Sequence, residues 1–181
     1  ARALEVPVPF AGRVAERRIL RPFYLASGGT LVAARAALHH GLGINLGGGL
    51  HHARPEWGHG FCVVNDIAAA LWTLRQEGWT GRVLIVDTDI HQGDGNHAFY
   101  ADDPSVFSLS LHQGSLFPFP KLRGDQDIAL GAGTTDEELL AALEEALTAA
   151  LDSFQPDLVF HVAGADVLAD DPLGEWAVTV E

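Results

Sequence analysis

An α/β fold, a parallel sheet with helices on both faces, is the class this sequence predicts, and three observations predict it. The run Val83-Leu84-Ile85-Val86 is apolar without interruption, the pattern of a strand buried on both sides. Strand-like runs alternate with helical periodicities along the chain, which points to parallel strands joined by helices. Acidic residues and histidines gather at the carboxyl ends of the apolar runs, where open α/β sheets bind ligands.

The elements follow in order. Residues 1–18, with Pro7, Pro9 and Arg17-Arg18, read as an extended lead-in without a core of its own. Ser27 is the expected cap of a helix to about His40, with Leu31, Ala34, Ala37 and Leu38 on one face. A short strand is expected at 44–46, then a loop to Asn65, which caps a helix carrying Ile67, Ala70, Leu71 and Leu74. Gly78 and Gly81 break that helix before a strand at 83–87, and a further strand spans 106–111 after Asp102-Asp103-Pro104. Thr135 and Glu138 form a capping box, opening a helix on Leu139, Leu143, Leu147 and Leu151 that stops before Pro156. A last apolar strand starts at Leu158. The stretch 112–134, mixing Phe, Pro, Gly and Asp, reads as a long loop at the rim of a site. With no repeat, low-complexity tract or linker, residues 1–181 read as a single domain.

Composition narrows the function classes. A chain of 181 residues can bury one sizeable core. Its apolar runs fall well short of the roughly 18 residues of a membrane span, and no signal peptide opens it. A single cysteine excludes an internal disulfide and fits a reducing cytoplasm, the expected location. The net charge of −13 disfavours direct nucleic-acid binding and mildly favours cationic substrates, and a generally acidic surface explains it equally well.

Three segments carry chemistry. In Val86-Asp87-Thr88-Asp89-Ile90-His91-Gln92-Gly93-Asp94-Gly95 the acidic residues follow the buried strand. Residues i and i+2 of a strand share a face, so Asp87, Asp89 and His91 are expected to project together. Clustered carboxylates are costly unless a cation neutralises them, and oxygen with imidazole donors suits zinc. The alternative is a hydrogen-bonded network at the strand end. In Gly47-Gly48-Gly49-Leu50-His51-His52-Ala53, glycines lead into two adjacent histidines, which from an extended backbone point apart and need separate partners. Asp87 and Asp94 are carboxylates able to fix histidine tautomers; the plainer reading is two surface histidines. In Leu158-Val159-Phe160-His161-Val162-Ala163-Gly164-Ala165-Asp166, the final aspartate is either a helix cap or a third ligand. Asp89, His91 and Asp166 with a position left for water is the arrangement of a catalytic zinc.

These segments, with Gly58-His59-Gly60-Phe61-Cys62-Val63-Val64-Asn65-Asp66, Ser110-Leu111-His112 and Gly164-Ala165-Asp166, resemble the histone deacetylase and acetylpolyamine amidohydrolase family of the arginase/deacetylase fold, a three-layer sandwich. The motifs fall in the family's order over about residues 20–175. Leu20-Arg21-Pro22-Phe23, Gly28-Gly29-Thr30 and Gln92 look most like the class IV branch and bacterial members.

The resemblance implies a zinc-dependent deacylase. Asp89, His91 and Asp166 would hold one zinc, His52 would be the general base and His51 its electrostatic or acid partner. Asp94 would orient His52 and Asp87 would orient His51. Gly60 and Phe61, with Phe117 opposite, would line the channel for the acyl-lysine. A monovalent cation would sit at Asp87, Ser110 and the backbone of Leu111. Cys62 reads as a small buried residue, not a nucleophile.

The implied substrate is an acyl-lysine protein or peptide, or an acetylated polyamine. An arginase-type manganese ureohydrolase and an inactive metal-binding module are the competing readings. The family's oxyanion-stabilising tyrosine has no counterpart, since Tyr24 and Tyr100 lie in other contexts. The expectation is an incomplete copy of the family domain, lacking segments at both ends, weakly active alone and prone to associate.

Overall fold

The structure, a computed structural model, describes residues 16–180. Two compact units, Ala1–Thr80 and Gly81–Glu181, make up the chain.

In the first unit a π-helical turn, Glu16–Leu20, runs into helix α1, Arg21–His40. Arg17 and Arg18 are therefore helical and not part of an extended lead-in, whose residues 1–15 lie outside the described residues. Pro22 stands in the first turn of α1, where its missing N–H costs nothing. Ser27 is not a cap. It lies inside α1, and its hydroxyl donates to the Phe23 carbonyl one turn back at 2.9 Å, so a residue typical of helix starts is accommodated mid-helix. The buried positions of α1 are Ser27, Thr30 and Ala34, while Leu38 stays exposed. The helix closes at Gly41, whose left-handed φ of 86° lets its N–H reach the Ala37 carbonyl.

No strand forms at 44–46. Ile44 and Leu46 are exposed, and Asn45 is tied by its side chain to the Ala26 carbonyl and the Thr30 hydroxyl, at 2.9 and 2.7 Å. Side-chain tethers to α1 take the place of a ladder. Helix α2, Asp66–Gln76, starts as its sequence predicts: Asn65 Oδ1 accepts from Ala68 N at 2.8 Å. Ile67, Ala70, Leu71 and Leu74 are buried, and α1 packs on α2.

The second unit carries β1 (Val83–Asp87), α3 (Asp94–Tyr100), β2 (Val106–Gln113), β3 (Gln126–Leu130), α4 (Asp136–Phe154), β4 (Leu158–Val162) and a short 3₁₀ turn, Ala165–Val167. The strands form one parallel sheet in the order β3-β2-β1-β4. Strand β3 lies in the stretch read from sequence as loop. Its alternating partial burial, with only Ile128 and Leu130 reaching the core, left too weak a pattern to detect. The capping box of Thr135 and Glu138 is present.

The buried face of α4 is Leu139, Ala146, Ala150 and Phe154, while Leu151 is exposed. Steps of four residues turn about 40° too far each time, so the leucine row drifts off the core by its fourth member. Leu84, Val86, Leu109 and Leu111 pack with α4 in one apolar core. The opposite face of the sheet presents Asp87, Ser108, Ser110 and His112 by strand alternation. There His97 of α3 meets Ser108, Nδ1 to Oγ, at 2.9 Å. Helices thus cover both faces. The chain steps from β1 to β2 on one side, but β4 lies on the other side of β1, which makes the β1/β4 boundary the switch point of the sheet.

Candidate metal centre

Asp87 of β1 is paired in register with Ser110 of β2 and Val162 of β4. The strand ends there, so the two-residue period stops, and Asp87, Asp89 and His91 do not form one row. Asp87 is fully buried, and its Oδ1 accepts from Asp89 N at 3.1 Å. Its carboxylate packs against Gly93, where any Cβ would collide with it.

The cluster that forms is Asp89, His91 and Asp166, one donor atom from each lying within 4.8 Å of the others; among the described residues it is the one such group. Its residues follow the carboxyl ends of β1 and β4, the two sides of the switch point. His91 Nδ1 lies 2.9 Å from Asp166 Oδ2 and 3.2 Å from Asp89 Oδ1. Backbone donors aim the carboxylates: His91 N reaches Asp89 Oδ1 at 2.8 Å, and Ile90 N reaches Asp166 Oδ1 at 3.2 Å. At Gly164 a Cβ would come within 2.6 Å of Asp166 Oδ1 and 2.7 Å of Asp89 Cγ, so glycine is needed to keep the cradle open. The hydrogen bonds to Asp166 and Asp89 raise the His91 pKa to about 9 against the opposing effect of burial. Two carboxylates around one imidazole call for positive charge, and the donor set fits zinc.

The histidine pair lies in the first unit. His51 and His52 are buried, in a turn and not an extended segment, so their rings lie side by side with centroids 4.1 Å apart. Gly60 packs on His52: a Cβ at Gly60 would meet the ring's Cγ at 2.6 Å. Gly60 and Phe61 form a two-residue tip with φ of 53° and 64°, closed by paired backbone hydrogen bonds between His59 and Cys62. A phenylalanine at positive φ is an outlier, and the tip holds its ring 90% exposed. Cys62 is buried, as expected.

Asp94 opens α3 and is fully buried. Ser110 is buried beside Asp87, and its Oγ accepts from Gly93 N at 3.2 Å. Phe117 is half-buried in the segment between β2 and β3, where its carbonyl accepts from Lys121 Nζ at 3.3 Å. Sequence reasoning passed over what holds that segment. Gln92 Nε2 donates to the Leu122 carbonyl at 2.7 Å and to Asp127 Oδ1 at 2.6 Å, while its Oε1 accepts from Leu122 N at 2.9 Å. It also passed over Asp66, which binds the glycine loop before His51. Both link residues 16 or more positions apart, which no local pattern signals.

His112 is fully buried, and burial pushes its pKa down to about 4, only partly opposed by Asp127. The unfolded chain takes up this proton near pH 6.5, whereas the folded protein resists it. His112 therefore costs no stability above about pH 6.5 and progressively more below it, levelling near pH 4 at about 3 kcal/mol. Denaturant titrations from pH 7 to 4 should show a shallower decline for His112→Asn than for the parent. Equal slopes would contradict this.

Fold and cluster together define an α/β protein with an Asp-His-Asp site suited to a divalent cation. The chain belongs to the histone deacetylase family, whose domain matches residues 11–181. It is 43% identical over 174 residues to an uncharacterized protein of Picosynechococcus, covering 96% of this chain and 56% of that protein. It is 40% identical to histone deacetylase 2 of Arabidopsis thaliana, covering 96% and 46% of the two chains. With the acetoin utilization protein AcuC of Bacillus subtilis the figures are 36% identity, 86% and 44%. The structure of a histone deacetylase homologue from Aquifex aeolicus superposes with a TM-score of 0.78 at 34% identity, over 86% of this chain and 45% of that one. A homologue complexed with SAHA gives 0.79 at 33% identity, over 87% and 45%. The chain spans about half the length of the relatives it matches. No helix among the described residues is long and apolar enough to cross a membrane.

Proposed function

We propose that this chain carries the metal ligands and proton-handling histidines of a zinc-dependent deacylase acting on acyl-lysine, within one catalytic domain of the histone deacetylase family. The observation that carries the reading is the convergence of Asp89, His91 and Asp166 at the switch point of the sheet. Zinc bound there supplies a Lewis acid for the amide carbonyl and acidifies water.

The family resemblance assigns the remaining roles. His52, neutral, takes the proton as water attacks the acyl carbon, and His51 stabilises the charge that develops. Asp94 and Asp87 fix the tautomers of His52 and His51. Gly60 leaves room beside the His52 ring, and the exposed ring of Phe61, held by a strained tip, offers one wall to an acyl-lysine stem, with Phe117 the proposed second wall. Asp87 and Ser110, buried side by side, are the proposed seat of a monovalent cation.

Acetylated polyamine hydrolysis is the second reading, favoured by the net charge of −13, which suits a polycationic substrate. The test uses the purified protein. It should hydrolyse a fluorogenic acetyl-lysine peptide, lose that activity on chelation and regain it with zinc. Chelator-insensitive hydrolysis, or none, would overturn the proposal. Rates on acetyl-lysine peptides, longer acyl-lysines and acetylated polyamines separate the two readings.

A further inference from the structure

We infer that Asp66 is a positioning residue for the histidine pair, acting through the backbone of the glycine loop. The inference rests on the reading of His51 and His52 as the proton-handling groups. Asp66 is 1% exposed, and both of its oxygens are engaged away from its own helix. Oδ2 accepts from the Thr30 hydroxyl at 2.6 Å and from Gly49 N at 3.1 Å, and Oδ1 accepts from Leu50 N at 2.7 Å. The Thr30 hydroxyl in turn accepts from Asn45 Nδ2 at 2.7 Å, and Asn45 Oδ1 accepts from Gly47 N at 3.1 Å. A polar clamp running from α1 through the first residue of α2 thus grips the backbone at Gly47, Gly49 and Leu50, immediately before His51.

Three features separate this role from simple helix capping. The cap of α2 is already filled by Asn65, so the carboxylate of Asp66 is not needed for it. Three donors converge on two oxygens, and only an ionised carboxylate is acceptor on both. The loop is also shaped to the clamp. A Cβ at Gly48 would lie 2.6 Å from Asp66 Oδ2, 2.7 Å from Thr30 Oγ1 and 2.9 Å from Asn45 Nδ2, and Gly49 has a left-handed φ of 85°. Glycine at both positions lets the backbone reach the carboxylate, and the carboxylate then fixes where the next two residues start. A general base displaced by about 1 Å can lose up to 100-fold in rate without any change in its own chemistry.

The test compares Asp66→Asn, Thr30→Val and Thr30→Ser in the zinc-loaded protein. It reads zinc content, kcat, KM and the imidazole ¹H–¹⁵N signals of His51 and His52. In Asp66→Asn an amide N–H₂ faces a donor on one side. The expected result is kcat lower by about 10- to 100-fold, KM little changed, zinc retained and both imidazole signals displaced. Thr30→Val should follow in part, and Thr30→Ser, which keeps the hydroxyl, should behave as the parent.

Parental kcat in Asp66→Asn, or a lower kcat with imidazole signals unmoved, would overturn the inference. If Asp66→Asn does not fold, the threonine pair decides. Signals shifted in Thr30→Val and restored in Thr30→Ser support the clamp, and identical signals in the two refute it. Should the parent lack deacylase activity, the functional reading fails, while the imidazole signals still judge the clamp.

Discussion

His52→Ala should lower deacylation by about 10²- to 10⁴-fold while the protein keeps its zinc. The expectation rests on the proposed base being fixed at a buried position: His52 is only 6% exposed, its ring lies tilted beside that of His51, and Gly60 packs against it. In the proposed mechanism, removing the imidazole deletes the proton acceptor and leaves the proposed zinc-holding residues Asp89, His91 and Asp166 unchanged. Asp94→Asn should cost less, since orienting a base is worth less than being one. Steady-state rates and metal analysis of the same preparations check both halves. A His52→Ala protein as fast as the parent would remove His52 from the mechanism. Loss of zinc together with activity would instead make His52 a ligand.

Asp166→Asn is expected to weaken zinc binding by more than about 100-fold, the upper range for disturbing groups one step further from a metal. The substitution preserves shape, and an amide oxygen can still accept from Ile90 N, so the turn after β4 should survive. What disappears is one of two negative charges, including the oxygen 2.9 Å from His91 Nδ1. Competition with a chelator of known affinity measures the effect. Full zinc occupancy in Asp166→Asn would withdraw the ligand assignment.

The parts of this fold legible in sequence are those governed by contiguous residues. β1 announces itself because a strand buried on both faces must be apolar throughout, and the Asn65 and Thr135 caps because each hydrogen bond spans three residues. Misreadings arose where distant partners decide. Ser27 resembles a cap until the helix before it is seen, and 44–46 has strand composition, but Asn45 is bound to α1. β3 escaped notice because its partial burial leaves only an alternating, weakly apolar pattern.

The three residues expected to gather, Asp89, His91 and Asp166, do lie together, but for a reason that holds only in part. Strand alternation was extended past Asp87, where the chain has already left the sheet, and what gathers Asp89, His91 and Asp166 is the side-by-side ending of β1 and β4. The Asp66 clamp left no trace in any local pattern, because its partners lie 16, 17 and 36 residues away.

Under the proposed assignment, the position of Asp166 would make the cation site a fastener as well as a reaction centre. Its partner His91 is 75 residues earlier in the chain, and β4, which carries it, is the outermost described strand on that side of the sheet. An ion gripping both loops would add its binding energy to the docking of β4 on β1, because anything that binds only the folded state stabilises it. Releasing the ion and loosening that border of the sheet are then two views of one equilibrium, so metal supply would govern how long the protein lasts as well as how fast it works.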